Sequence, residues 1–283
     1  MPENGGVASL INTLLDLIED FEERGSREAL IGFNDFRTSK FSYREAYDAI
    51  GRFAAFLDSA GIGKGDPVLI WGENRPEWVI AFWGCVARAA PVVPVDYRFS
   101  IDLVLRICKE SQPRILLHGP SLDARQVPLP AISFDAIRDL RPAPPLVKSP
   151  ISPDDIVEIV YTSGTTAEPK GVVHRHRNIV ANLEPFRKEI QKYERWARPF
   201  QPIRILDLLP LSHMFGQAMG LYVPAFLEGS VAFTSEIRPP AIVRLIHDNR
   251  ISVVVSVPRP EGYRMVGVWN PWYIVVSRLE NRK

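Results

Sequence analysis

Cysteine is scarce: Cys85 and Cys108 are the only two in 283 residues. Neither has a partner at metal-ligand spacing, which excludes a disulfide framework and a thiolate metal centre. Both read as buried thiols of a reducing compartment, and a cytoplasmic setting is expected. No uninterrupted apolar run approaches the ~20 residues that a bilayer crossing needs, so no integral membrane segment is expected. The N-terminus carries Glu3 and no basic stretch before Leu10, unlike a secretory leader. An excess of one charge is missing too. Lys and Arg total 34 against 33 Asp and Glu, with no basic block, and this argues against nucleic acid as a partner. Nothing in the sequence fixes the oligomeric state.

What the chain does have is a polar loop between two apolar runs. Tyr161-Thr162-Ser163-Gly164-Thr165-Thr166-Ala167-Glu168-Pro169-Lys170-Gly171 follows Ile156–Val160 and precedes Val172-Val173. Backbone N–H groups, hydroxyl donors and one cation in such a loop suit a polyphosphate. A plain hairpin turn punctuated by Gly and Pro is the alternative. The GxxxxGK[ST] nucleotide loop is excluded, because five residues separate Gly164 from Lys170 and Gly171 follows the lysine. Val172 to His176 reads as a strand. The loop is therefore expected to join two strands, with no helix N-terminus aimed at the phosphate.

The string YTSGTTAEPKGVVHRHRN resembles the phosphate-binding signature of the AMP-forming acyl-adenylating superfamily. That superfamily includes fatty acyl-CoA ligases, peptide-synthetase adenylation domains and luciferases. Leu208-Leu209-Pro210-Leu211-Ser212-His213-Met214-Phe215-Gly216 resembles the LPLxHxxG segment of its acyl-CoA ligase branch. Phe41-Ser42-Tyr43-Arg44-Glu45, Gly65-Asp66-Pro67-Val68 and Glu73-Asn74-Arg75-Pro76-Glu77-Trp78 resemble the start of the family's large domain. The likeness runs from about Phe21 to Pro258, with the motifs in family order. One departure is Ala167, where the family usually has Gly, so the loop has less freedom at positive φ.

Around these motifs, strands and helices alternate, which implies mostly parallel sheets with helices on their faces. Leu10, Leu14, Leu17, Ile18 and Phe21 are spaced as one amphipathic helix. A hairpin is expected around Asn34-Asp35, and then Ser42 and Glu45 form a capping box. The helix they open buries Ala46, Ile50, Phe53, Ala54 and Leu57 and stops near Gly61. Strands are predicted at Val68–Trp71, Val92–Val95, Ile115–His118, Ile203–Leu209, Gly229–Phe233 and Ser252–Val257. Helices are predicted at Pro76–Arg88, Ile101–Lys109, near Gln217–Phe226 and at Pro239–Asp248, with Asn178 as N-cap of another. Arg141–Pro153 has too many prolines for either regular element. The resemblance implies a doubly wound α/β plan, the large N-terminal domain of acyl-adenylating enzymes, incomplete, over residues 1–258. Residues 259–283 resemble nothing in the family. A reading-frame change or fusion after Pro258 is the expectation there, a short natural extension the alternative.

The resemblance also implies the chemistry. A carboxylate oxygen attacks the α-phosphorus of ATP and expels pyrophosphate, and coenzyme A then takes the acyl group with release of AMP. Ser163, Gly164, Thr165 and Thr166 would surround the β and γ phosphates, with Thr162 nearest Mg²⁺. Lys170 would compensate charge on the departing pyrophosphate. His213 would lie between acyl pocket, α-phosphate and thiol entrance, the alternative being a histidine bonded in a strand-to-helix turn. His174 and His176 share one strand face and read as solvated, with no Cys or acidic partner for a metal. Met214, Phe215, Met219, Leu221 and Tyr222 read as core, an acyl pocket being the alternative.

Four family features have no counterpart: a YGxTE segment, an aspartate for the ribose, a hinge arginine and a C-terminal domain with a catalytic lysine. A truncated acyl-CoA ligase for fatty or other carboxylic acids, without appreciable activity alone, is the expectation. An amino-acid-activating module and a non-catalytic nucleotide-binding remnant are the alternatives.

Overall fold

Val68 and Ile70 face one hydrophobic cluster while Leu69 and Trp71 face another, and all four are buried. A strand buried on both faces needs helices on both sides, and this rule organises the chain. The computed structural model describes residues 11–34, 37–142, 146, 148–162, 169–197, 201–256 and 274–276.

The strands in chain order are β1 (Glu28–Asn34), β2 (Arg37–Ser42), β3 (Val68–Trp71), β4 (Val92–Val95), β5 (Ile115–His118) and β6 (Ala131–Ser133). They continue as β7 (Ile156–Thr162), β8 (Lys170–Arg175), β9 (Arg204–Asp207), β10 (Ser230–Thr234), β11 (Val253–Val255) and β12 (Ile274–Val276). The helices are α1 (Phe21–Arg24), α2 (Tyr43–Ser59), α3 (Pro76–Ala87), α4 (Ile101–Ser111), α5 (His176–Ala197), α6 (Met214–Gln217), α7 (Val223–Leu227) and α8 (Pro239–Asp248). A single π-helical stretch, Ala218–Tyr222, joins α6 to α7.

Two six-stranded sheets result, one ordered β12-β11-β9-β10-β1-β2 and the other β6-β5-β3-β4-β7-β8. Every pairing is parallel except β1–β2 and β7–β8, which place an antiparallel hairpin at one edge of each sheet. The doubly wound, mostly parallel plan stands.

Helix α3 is buried along its whole length and packs against both β1 and β4, so it fills the space between the sheets. Helix α2 lies beside it, opened by the expected capping box of Ser42 and Glu45. Phe53 and Phe82 are fully buried there, worth roughly 1.5–3 kcal/mol each by area. Helix α4 covers the outer face of the second sheet through Val104 and Ile107. Helix α8 covers the first through Ile242, Leu245 and Ile246.

Two local expectations are corrected. The N-terminal segment is a 3₁₀ turn, Leu14–Leu17, and the short α1 in place of one amphipathic helix. Thr13 and Asp16 close a capping box on that turn. Its apolar residues Leu14, Leu17, Ile18 and Phe21 are nevertheless buried. Second, His176 ends no strand but opens α5, and Pro185 sits inside that helix. Asn178 is not the N-cap; its Oδ1 accepts the Arg175 N–H at 3.0 Å, the reaching-back half of a capping box. Within the tail, Ile274–Val276 runs parallel to β11. The remainder of 259–283 lies outside the described residues.

Candidate functional site

The hairpin β7–β8 carries the polar loop, and Thr162 is the cross-strand partner of Lys170. The loop therefore joins two antiparallel strands, as its sequence requires. Gly171 is needed because a Cβ there would stand 2.9 Å from Ile159 and 3.0 Å from the Tyr161 ring. Lys170 is exposed. Ser163, Gly164, Thr165, Thr166 and Ala167 lie outside the described residues, as does the side chain of Thr162.

Strand β4 runs parallel to β7 with Val92 beside Glu158. Four residues on, Asp96 stands level with Thr162, at the same strand end. Asp96 is 3% exposed and meets Nε2 of His213 at 3.4 Å. Arg98 grips the same carboxylate with Nε at 2.9 Å and a terminal nitrogen at 2.6 Å, and its N–H donates at 2.9 Å. Burial alone would raise the Asp96 carboxyl, but the Arg98 and His213 contacts outweigh it and hold it well below the usual range.

His213 ends the LPLSH segment and stands as N-cap of α6. It is half exposed and bonded in a strand-to-helix turn, with one face toward Asp96. That turn is clamped from the other sheet. Asn74 Nδ2 donates to the Leu209 carbonyl at 2.5 Å, and Asn74 Oδ1 accepts the Leu211 N–H at 2.8 Å. Two of the sequence motifs, ENRPEW and LPLSH, thus meet through one amide side chain. Gly216 closes the turn because a Cβ there would lie 2.2 Å from the Pro210 carbonyl oxygen.

The rest of the ENRPEW segment is structural. Glu77, fully buried, accepts from Arg75 Nε at 2.8 Å and Arg138 Nε at 2.6 Å, which fixes the start of α3. Met219, Leu221 and Tyr222 are buried among other apolar side chains and form core. The cysteines are inert by environment. Burial pushes the Cys85 thiol far up and the Cys108 thiol to about 11.

The two histidines of the VVHRH run do not share a solvated strand face. His174 is half-buried, and its Nδ1 bonds Glu158 Oε1 at 3.0 Å. That bond raises its imidazole above the ordinary 6.5, against the opposing effect of burial. His176 is buried, and its Nδ1 accepts the Leu14 N–H at 3.1 Å, tying the N-terminal turn to α5. Burial lowers its imidazole to about 4. Among the described residues no group of three or more His, Cys, Asp or Glu is arranged to hold a metal ion.

Sequence reasoning missed Glu158. It is fully buried between the sheets, with Oε2 accepting from Gln217 Nε2 at 2.8 Å. Tyr222 Oη reaches Gln217 Oε1 at 3.5 Å. A single acid in an otherwise apolar strand, Ile156-Val157-Glu158-Ile159-Val160, was the signal available. A surface hollow lined by His118, Leu122, Arg125 and Val127 lies at the opposite edge of this sheet and takes no part.

Two mostly parallel sheets with helices on their faces define an α/β domain, a class of fold whose ligands generally bind outside the carboxyl ends of the strands. The family described as AMP-binding enzyme matches residues 18–260, and the chain belongs to that family. A feruloyl-CoA synthase of Amycolatopsis sp is 28% identical over 227 residues, covering 77% of this chain and 43% of that protein. A D-alanine–D-alanyl carrier protein ligase of Bacillus cytotoxicus is 29% identical over 150 residues, 52% of this chain and 30% of the relative. The chain spans under half the length of these curated relatives. Among solved structures, a fatty acyl-adenylate ligase from L. pneumophila, in complex with acyl adenylate and pyrophosphate, superposes with TM-score 0.71. It is 22% identical and covers 87% of this chain and 44% of that one. An O-succinylbenzoate coenzyme A synthetase from Bacillus subtilis, in complex with AMP, gives TM-score 0.70 at 21% identity, over 85% and 61%. Likeness at this identity establishes the fold. Among the described residues no helix is long and apolar enough to cross a membrane.

Proposed function

We propose that this chain grips the triphosphate of ATP for an AMP-forming ligase that activates a carboxylic acid, a fatty acid by preference. The observation that supports it most is a coincidence of position. The loop-bracketing pair Thr162 and Lys170 stands at the strand end where His213 meets Asp96.

In this reading a carboxylate oxygen bonds to the α-phosphorus as the bond to pyrophosphate breaks. Two anions must approach, so charge has to be neutralised and the reactants held in line. Lys170 supplies a cation for the leaving pyrophosphate, and Ser163 to Thr166 supply hydroxyl and N–H donors. Such donors are usually worth several kcal/mol in a transition state. Mg²⁺ would enter with ATP as substrate, and Thr162 is the residue that would offer it a hydroxyl. Coenzyme A then attacks the acyl-adenylate through sulfur and AMP leaves. His213, anchored by Asp96, borders the acyl and thiol paths. Because the relatives are about twice this length, ligation is proposed for the family fold and the triphosphate grip for the residues present here.

A second reading, activation of an amino acid for a carrier protein, draws on the D-alanine ligase relatives. Non-hydrolysable acyl-sulfamoyl adenosines decide between the two. Calorimetry on the chain with dodecanoyl, feruloyl and D-alanyl versions should give tightest binding with the dodecanoyl compound. Tightest binding of the D-alanyl version overturns the fatty-acid assignment. Equal affinities for all three remove any basis for it.

A further inference from the structure

The triphosphate reading leaves the buried Glu158 unused. A hydrogen-bonded buried carboxylate is often no more stabilising than an apolar side chain of its size, so a stability role does not by itself account for this residue. What it does provide is one fixed arrangement. His174 Nδ1 on β8 bonds one oxygen at 3.0 Å, and Gln217 Nε2 on α6 donates to the other at 2.8 Å. The Gln217 backbone N–H in turn donates to the His213 carbonyl at 3.0 Å. The hairpin below the loop and the turn bearing His213 are thus joined by the Glu158–Gln217 bond, with His174 holding Glu158 from within the hairpin. Sliding one against the other breaks that bond at a buried polar group.

We propose that Glu158, His174 and Gln217 are positioning residues that lock the phosphate-loop hairpin against the His213 turn, so that loop and histidine hold one nucleotide in a fixed relation. The proposal rests on the loop being the triphosphate grip. It assigns the network to the β and γ phosphates and not to the nucleoside, which separates it from ordinary packing. Tyr222 completes the lock: burial and the nearby Glu158 carboxylate raise its phenol, which keeps the proton that faces Gln217.

The test is calorimetry of ATP·Mg²⁺ and of AMP on the full chain. Gln217→Leu is expected to lower the ATP-to-AMP affinity ratio by about tenfold, with AMP affinity alone within about twofold of wild type. The exchange Glu158→Gln with Gln217→Glu should restore the ratio. The new amide then donates to the new carboxylate, and its carbonyl still accepts from His174. An unchanged ratio in Gln217→Leu overturns the proposal. So does a parallel fall in both affinities with a lowered melting temperature, which marks packing alone. If the wild type shows no preference for ATP over AMP, the triphosphate reading itself fails. Amide exchange then tests the lock by itself. Faster exchange at 170–175 in Gln217→Leu, with Val231–Phe233 unchanged, supports it, and unchanged protection overturns it.

Discussion

Asp96 and His213 meet across the gap between the two sheets, with imidazole Nε2 3.4 Å from a carboxylate oxygen. Asp96 follows β4 and His213 follows β9, so the contact joins the C-terminal ends of strands in different sheets. A half-exposed histidine held by a buried carboxylate has a fixed ring orientation, as the role proposed for His213 requires.

Asp96→Asn removes the anion that holds both Arg98 and His213. The expected loss is about 1–3 kcal/mol at neutral pH, the usual cost of unpairing a buried charged bond. Because the folded-state carboxyl is held below its ordinary range, this stabilisation is present above about pH 4 and is lost as pH falls. Urea unfolding at pH 7 and pH 3 checks it: the gap between wild type and variant should narrow at the lower pH.

His176 works in the opposite direction from a histidine that gains an acidic partner. Its imidazole is lowered from 6.5 to about 4, so the unfolded chain takes up a proton that the folded chain refuses. Stability should fall by about 3 kcal/mol as pH drops through that window. In His176→Asn an amide oxygen replaces Nδ1 as acceptor for Leu14. Its unfolding profile should be flatter between pH 6.5 and pH 4, as measured by urea titration across that range.

Asn74→Leu should cost about 2 kcal/mol, because the Leu209 carbonyl and Leu211 N–H lose their partner. The loss should also be seen at a distance. The His213 imidazole resonances are expected to shift or broaden in NMR spectra, since Asn74 holds the turn that carries the ring. A variant with wild-type His213 signals would detach the ENRPEW segment from the site.

Much of this was legible in advance, and the reasons are physical. Val68–Trp71, Val92–Val95 and Pro239–Asp248 were read to the residue, because β-branched runs bounded by turn residues, and Pro at the first helical position, are local signals. That the polar loop joins two strands was legible from the apolar runs on either side of it. Glu158 was not, because its partners His174 and Gln217 lie 16 and 59 residues away. His176 was misplaced since VVHRH has no break in β propensity. The strand ends where Asn178 reaches back to the Arg175 N–H and the His176 and Arg177 N–H groups turn to the Asp155 and Pro153 carbonyls. The N-terminal segment departs from one helix between Ile18 and Asp20, which cap the end of the 3₁₀ turn and the start of α1.

Asp207 offers a test with an unexpected sign. It ends β9, almost fully buried, with one oxygen accepting the Leu209 N–H at 3.0 Å and the other without a partner among the described residues. Burial raises its carboxyl well above the ordinary range. A raised carboxyl adds nothing below the unfolded value and subtracts stability as pH rises above about 4. Asp207→Asn should therefore melt at a higher temperature than wild type at pH 7, and the difference should vanish near pH 4. A lower melting temperature at pH 7 would show that the charge has a partner after all.

The most direct measurement is the affinity of the chain for ATP·Mg²⁺ beside that of Lys170→Ala. An exposed lysine at the mouth of a hairpin contributes nothing to packing, so the substitution isolates its charge. Calorimetry should find ATP·Mg²⁺ binding in the wild type and a loss of about tenfold or more in the variant, with AMP scarcely affected. Equal ATP affinity in both proteins, or no binding by the wild type, would contradict the account.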